Sequence, residues 1–217
     1  MHMMNLKQTE FSLIETLLWK TGMFFLLELH LARLKKSAAY FSFSCDIAII
    51  KKKLAECVKS FIPNEKFKIR LLLNSSGNIS LKSEPIIPLL ESPLKTGFSD
   101  KKTDKTDPFF KHKTTNRSLY NSEYLAAKKN GFFDVIFLNQ ANEITEGSIS
   151  NIIIQKNNEY FTPPLICGLL PGVYRTYLLE TEDLPIKETV LKKEDIVSAD
   201  KIFLVNSVRK MVPVLLS

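Results

Sequence analysis

The sequence has few cysteines, and it contains no long apolar run. The three cysteines, Cys45, Cys57 and Cys167, lie far apart in 217 residues and form no CxxC pair, which argues against a zinc site or a disulfide framework. The apolar start of the chain is interrupted by charged residues between Glu10 and Lys20 and lacks a signal-peptide layout. No stretch reaches the ~18 apolar residues of a membrane span. These absences predict a reduced, soluble, cytoplasmic protein with no membrane partner and no metal.

A long basic run is also missing, although the chain is basic overall. Its 30 Lys and Arg residues exceed its 23 Asp and Glu residues, which gives a formal charge of +7. The lysines occur in twos and threes, as at Lys51–Lys53 and Lys101–Lys102, without interleaved aromatic residues. This pattern favours a solvated surface over a nucleic-acid-binding face. The positive field would also suit an acidic substrate.

What is present is ordinary globular composition, with 45% hydrophobic and 24% charged residues. The length fits one large or two small domains at about 150 residues each. A chain of this size buries about 70% of its surface on folding, so it needs no metal or disulfide to hold a core.

The patterns in the first part of the chain predict strands and helices. A strand over 11–19, a turn at 20–22 and a second strand over 23–28 form a hairpin, and a helix follows over 29–39. Asp46 caps a second helix, which ends near Pro63 and buries a stripe that runs from Ile47 to Phe61. Residues 66–73 and 79–82 then alternate as two strands.

Residues 83–111 lose all periodicity, and residues 91–111 are predicted to be a linker. It separates an N-terminal α/β lobe, 1–90, from a C-terminal cofactor-binding lobe, 112–217. The second lobe is predicted to contain a helix to about Asn130, a helix over 173–180 and a short helix between the last two strands. Its strands are predicted over 134–139, 148–154, 159–162, 187–191 and 201–206. The fold class is therefore α+β.

Three polar segments are candidates for chemistry. Lys113 lies among small polar residues, and its pKa would fall if it were buried near Arg117 or His112, although a surface lysine is the simpler interpretation. Such a lysine forms Schiff bases. Glu146 interrupts an apolar hairpin with hydroxyl and amide neighbours, either as a polar rim or as a carboxylate for a protonated ring nitrogen.

The third segment, GLLPGVYR from Gly168, leads into a helix N-terminus whose free amides suit phosphate. Ser207 ends a later strand and could add a hydroxyl to the same anion. His30 and Arg33 lie one helical turn apart, and Arg33 is either an exposed charge or a phosphate clamp.

Together these segments resemble the class IV, or fold-type IV, pyridoxal-phosphate enzymes, which include D-amino-acid and branched-chain aminotransferases and aminodeoxychorismate lyase. The segments that carry the resemblance are FSLIETLLW, HLARLKKSAAYFSF, HKTTNRSLY, GFFDVIFLNQANEITEGSISNIII, FTPPLICGLLPGVYR and IFLVNSVRKMVPV. They occur in the family's order and are most similar to the lyase domain that is fused to aminodeoxychorismate synthase.

The resemblance implies a role for each residue. Lys113 would be the Schiff-base lysine and proton shuttle, and Glu146 would pair with the pyridine nitrogen. Arg33, Ser207 and the backbone amides of Val173 and Tyr174 would hold the phosphate. Weaker candidates are Thr16 as a proton donor, and Asn116, Arg117 and Asn151 as pocket residues.

The resemblance also implies a two-lobed fold like that of D-amino-acid aminotransferase, with the cofactor between the lobes. It implies a homodimer and an aminodeoxychorismate synthase partner. Only about ten residues precede the ET strand, so a pocket wall that the family builds there would be missing or supplied by another chain.

Three functions follow as hypotheses. The first is a lyase that converts 4-amino-4-deoxychorismate into 4-aminobenzoate and pyruvate, a step towards folate. The second is an aminotransferase for D-amino or branched-chain amino acids, which needs a 2-oxo acid acceptor. The third is a degenerate fold that binds a partner or nucleic acid without catalysis.

Overall fold

The computed structural model describes residues 10–62, 64–89, 93–181 and 184–217. The first part of the chain forms an antiparallel sheet of order β2-β1-β3-β4 with two helices against it. Its elements are β1 (Leu13–Lys20), β2 (Met23–Phe24), α1 (Leu27–Phe41), α2 (Ile47–Cys57), β3 (Lys66–Leu73) and β4 (Ile79–Pro85). The apolar faces of these elements enclose one core, which includes Leu13, Leu17, Leu34, Ile50 and Leu71.

The hairpin is present, but its second strand, predicted over 23–28, is wrong beyond its first two residues. Leu26 adopts a left-handed backbone with φ 55°, which ends β2 and starts α1 at Leu27. The apolar run 23–27 carried no alternation that could separate a strand from a helix. Asp46 caps α2 as predicted, because its carboxylate accepts from the amides of Ala48 and Ile49 at 2.8 and 3.1 Å. The predicted helix end at Pro63 lies outside the described residues.

The rest of the described chain forms an eight-stranded sheet of order β10-β9-β8-β11-β12-β5-β6-β7. Its strands are β5 (Leu94–Thr103), β6 (Asp134–Asn139), β7 (Ile144–Gly147), β8 (Asn151–Lys156), β9 (Glu159–Thr162), β10 (Ile186–Glu188), β11 (Lys201–Asn206) and β12 (Lys210–Leu216). Its helices are α3 (Ser118–Lys129), α4 (Val173–Glu180) and α5 (Lys193–Val197). The α+β class is confirmed.

The linker predicted over 91–111 is wrong in the part over 94–103, because β5 runs through it as an inner strand. The buried side chains of β5 are small and polar, such as Thr96 and Thr103, so the strand has no apolar alternation. Thr96 Oγ1 donates to the carbonyl of Asp134 on the neighbouring strand at 2.9 Å. Residues 90–92 lie outside the described residues, and the domain bounds 1–90 and 112–217 stay a prediction.

The strand predicted over 148–154 is wrong at its start, since residues 148–150 form a turn between β7 and β8. The predicted strand over 187–191 ends earlier, at Glu188, and β12 was not predicted. Within the described ranges, no helix combines the length and apolar character that crossing a membrane requires.

The two sheets meet at β1 and the segment that carries Lys113. The amide of Ile14 donates to the carbonyl of Lys113 at 2.8 Å, and the amide of Thr115 donates to the carbonyl of Ser12 at 2.8 Å. This short ladder fixes the backbone of Lys113 beside β1. The residues that follow Ile14, namely Glu15 and Thr16, therefore lie next to the lysine.

Candidate active site

A cavity of about 450 Å³ lies between the two sheets and collects side chains from both. Nine of the residues singled out from the sequence line it: Thr16, Arg33, Lys113, Arg117, Glu146, Asn151, Val173, Tyr174 and Ser207. Asn116 does not line it, and its side chain is exposed, so the prediction that Asn116 is a pocket residue is wrong. The turn at Thr115 directs Asn116 outward while Arg117 faces the cavity.

Lys113 lies in this cavity with an electrostatic environment that favours its neutral amine. Burial, together with the cations of Arg117 and Arg33, lowers the pKa of Lys113 to about 7. The carboxylates of Glu15 and Glu146 oppose this shift. Arg117 is thus confirmed as a neighbour, whereas His112 instead hydrogen-bonds Ser37 Oγ at 2.9 Å. A lysine with a pKa near 7 can act as a nucleophile or base at neutral pH.

Arg33 is held by a buried carboxylate that the sequence did not single out. Glu15 accepts from Arg33 Nε at 2.9 Å, from Arg33 Nη2 at 2.6 Å and from His30 Nδ1 at 2.6 Å. Burial opposes the charge, but Arg33 and His30 hold the pKa of Glu15 down to about 2. His30 lines the cavity, and its buried Nε2 has no hydrogen-bond partner among the described residues. The cluster fixes the guanidinium of Arg33 at the cavity wall.

Glu146 is a buried carboxylate that also lines the cavity. Its side chain is 4% exposed, which excludes the interpretation as a polar rim. Tyr120 OH donates to Glu146 Oε1 at 2.7 Å, and Asn151 Nδ2 donates to Oε2 at 3.2 Å. Burial raises the pKa of Glu146 to about 7, while the hydroxyl of Tyr120, the backbone amide of Leu170 and the charges of Lys113 and Arg117 oppose that rise.

The turn between β7 and β8 is built around Asp134. This buried carboxylate accepts from the backbone amides of Ser148 and Ile149 at 3.0 and 3.1 Å and from the hydroxyls of Ser148 and Ser150. The serines therefore brace the turn and do not extend β8. The carbonyl of Ser148 in turn accepts from Arg117 Nη2 at 2.5 Å, which positions Arg117 towards Lys113 and Glu146.

The N-terminus of α4 also faces the cavity. Gly172 is the N-cap residue of α4, and no side chain among the described residues caps this end of the helix. The first amides of α4 are therefore available to an anion. A Cβ at Gly172 would overlap Asn151 Oδ1, which explains why glycine stands there. Ser207 follows β11 and lines the same cavity, as does Arg33, whose Nη1 donates to the carbonyl of Pro171 at 3.2 Å. These groups form an anion-binding wall.

Sequence reasoning missed the residues that position the predicted ones: Glu15, Tyr120 and Asp134. Glu15 and Asp134 lie in apolar strands and Tyr120 lies in a polar helix, and the importance of each depends on contacts between distant parts of the chain. The alternation in β1 offered one signal, because Glu15 occupies a position that should have been apolar.

A family model described as amino-transferase class IV matches residues 12–216. A Schizosaccharomyces pombe protein assigned as an aminodeoxychorismate lyase is 31% identical over 213 residues, which cover 93% of this chain and 88% of the relative. A Thermotoga maritima protein assigned as a branched-chain-amino-acid aminotransferase is 26% identical over 197 residues, which cover 85% of this chain and 69% of the relative.

Solved structures agree with this result. The crystal structure of a Mesorhizobium loti protein assigned as an amino-acid aminotransferase superimposes with a TM-score of 0.89 at 31% identity. The match covers 95% of this chain and 100% of that one. The two-lobed fold-type IV architecture is therefore confirmed. The chain belongs to the class IV aminotransferase family and is a pyridoxal-phosphate-dependent enzyme.

Proposed function

We propose that the cavity holds pyridoxal phosphate through groups that fit its separate parts. The free amides of Val173 and Tyr174, together with Arg33 and Ser207, suit a phosphate. The amine of Lys113 suits a covalent link to an aldehyde. When bound, the cofactor withdraws electron density from the substrate carbon that is deprotonated.

We propose that the reaction is the cleavage of 4-amino-4-deoxychorismate to 4-aminobenzoate and pyruvate. The neutral amine of Lys113 takes the proton from the ring carbon that bears the amino group. The C–O bond to the enolpyruvyl group breaks, and the ring becomes aromatic. Thr16, which lines the cavity beside Lys113, gives a proton to the leaving enolpyruvate, which then becomes pyruvate. Glu146, as a carboxylate, stabilises positive charge on the cofactor ring.

The observation that carries this proposal is the positive charge of the cavity. Apart from Arg33, the arginines Arg70, Arg117 and Arg209 line it. Arg70 lies directly across from Thr16 in the β1–β3 register. The substrate has two carboxylates, one on the ring and one on the enolpyruvyl group, and guanidinium groups are suited to binding both. The lyase assignment of the S. pombe relative supports the same choice.

The test is release of pyruvate from 4-amino-4-deoxychorismate by the purified protein without any 2-oxo acid. We expect pyruvate and 4-aminobenzoate in equal amounts. Thr16→Val should retain the absorbance of the bound cofactor and release pyruvate more slowly. Thr21→Val, in the exposed turn that follows β1, should release pyruvate at the wild-type rate. Absence of pyruvate from a cofactor-loaded protein would refute the lyase assignment.

An aminotransferase is the second candidate, favoured by the T. maritima and M. loti proteins that this chain resembles. It would use the same lysine, but it requires an acceptor. Turnover of D-alanine or L-leucine that depends on added 2-oxoglutarate would establish this alternative. The homodimer, the synthase partner and the cytoplasmic location stay predictions.

A further inference from the structure

Tyr120 is a buried tyrosine that is fixed in one position and directed at Glu146. It lies on α3, seven residues after Lys113, and is 7% exposed. Phe110 and Phe137 pack edge-on against its ring, with centroids 5.4 and 5.0 Å away. The guanidinium of Arg117 lies 5.5 Å from the ring centre. These contacts restrict the ring, so its hydroxyl has one direction to point.

The hydroxyl of Tyr120 points at the carboxylate of Glu146. Tyr120 OH donates to Glu146 Oε1 at 2.7 Å, between two buried groups from distant segments of the chain. Burial and the charge of Glu146 raise the pKa of Tyr120 well above its usual value, so the phenol keeps its proton and acts only as a donor. A donor of this kind stabilises the ionised carboxylate over the neutral acid.

Among the groups that favour the ionised form of Glu146, Tyr120 makes the largest contribution, ahead of the backbone amide of Leu170 and the charges of Lys113 and Arg117. Asn151 donates to the other carboxylate oxygen at the longer distance of 3.2 Å, and the same amide group also donates to the carbonyl of Leu170 at 3.0 Å. Burial raises the pKa of Glu146 to about 7 even with these groups present, so the loss of one of them favours the neutral acid at neutral pH. A neutral acid cannot pair with a protonated ring nitrogen as a carboxylate does.

We propose that Tyr120 is the positioning residue that holds Glu146 as an oriented carboxylate for the protonated ring nitrogen of the cofactor. The inference rests on the proposed role of Glu146, and it adds a second residue on which that role depends. Tyr120 does not touch the reacting carbon. Its effect on chemistry passes through one hydrogen bond, so removal of one oxygen atom tests it.

The experiment measures cofactor affinity of the full-length protein after its cofactor has been removed. Wild type, Tyr120→Phe and Glu146→Gln are each titrated with pyridoxal phosphate and with an analogue in which a C–H replaces the ring nitrogen. We expect Tyr120→Phe to weaken binding of pyridoxal phosphate about tenfold, as for a hydrogen bond to a charged group. Binding of the analogue should not change, because the analogue has no ring nitrogen.

The control is Tyr160→Phe, on β9, which removes a tyrosine hydroxyl at a residue that does not line the cavity. It should leave both affinities unchanged. Thermal unfolding of the cofactor-free variants reports whether each one folds.

Equal weakening of both ligands in Tyr120→Phe, or no weakening of either, would overturn the inference. If Glu146→Gln weakens binding of pyridoxal phosphate but not of the analogue, and Tyr120→Phe does not show this difference, the inference fails while the role of Glu146 stands. If Glu146→Gln changes the affinities for the two ligands equally, the inference on Tyr120 and the proposed role of Glu146 both fail. None of these results depends on lyase activity, so the reaction assignment is tested separately. A Tyr120→Phe chain that fails to unfold cooperatively would assign the residue to stability and overturn the inference.

Discussion

Replacing Glu15 by glutamine should destabilise the fold far more than removal of a surface carboxylate. Glu15 is 2% exposed and accepts three hydrogen bonds, from Arg33 and His30, at 2.6 to 2.9 Å. Glutamine keeps the shape but removes the charge, so the guanidinium of Arg33 stays at the cavity wall without its counterion. Breaking one partner of a buried ion pair leaves such an uncompensated charge.

The magnitude follows from the pKa of Glu15. Its lowering from 4.5 to about 2 corresponds to about 3 kcal/mol in favour of the ionised form. Because the pKa is depressed in the folded state, this stabilisation is present above about pH 4.5 and is lost as the pH falls towards 2. The difference between wild type and Glu15→Gln should therefore be about 3 kcal/mol at pH 7 and should shrink below pH 4.

The assay is urea unfolding followed by the fluorescence of Trp19, the single tryptophan, which is buried on the same strand as Glu15. The control is Glu28→Gln, at the start of α1, whose ion pair with Lys51 at 2.7 Å is exposed. That pair should contribute about 0–1 kcal/mol. Equal unfolding free energies for the two variants at pH 7 would refute the reasoning.

Two further pairs of variants test packing. Gly172→Ala should weaken cofactor binding because its Cβ would overlap Asn151, whereas Gly97→Ala meets only ordinary contacts and should bind normally; cofactor titration compares them, and equal affinities would contradict the expectation. Thr103→Val should be neutral or stabilising, since its buried hydroxyl has no partner among the described residues, whereas Thr96→Val should cost about 1 kcal/mol through a lost hydrogen bond. Urea unfolding distinguishes the two threonines, and a greater loss at Thr103 would contradict the assignment.

Much of the fold could be predicted because its elements carry local signals. The alternation of β3, the Asp46 cap of α2 and the glycine after α3 all lie within a few residues of the feature they specify. Strand β5 could not be predicted in this way. Its buried side chains, those of Thr96, Ser99 and Thr103, bear hydroxyls, and the contact of Thr96 with β6 joins two strands that are distant in sequence.

The candidate site shows the same division. Lys113, Glu146 and the start of α4 stand out because a lysine, a carboxylate and free amides interrupt their surroundings. The groups that tune them do not stand out. Glu15 and Tyr120 lie in segments that resemble any buried strand or helix, and their partners come from 15 to 26 residues away in the chain. Only the folded structure brings such pairs together.

The central claim is that Lys113 is the amine that carries the cofactor. Protein loaded with pyridoxal phosphate should show a visible absorption band, and borohydride should abolish the band and fix the cofactor to the chain. Mass spectrometry of the digested protein then locates the added mass. We predict the label on the peptide that contains Lys113 and no fixed label in Lys113→Ala. A label on any other lysine, or an unchanged label in Lys113→Ala, would contradict the account.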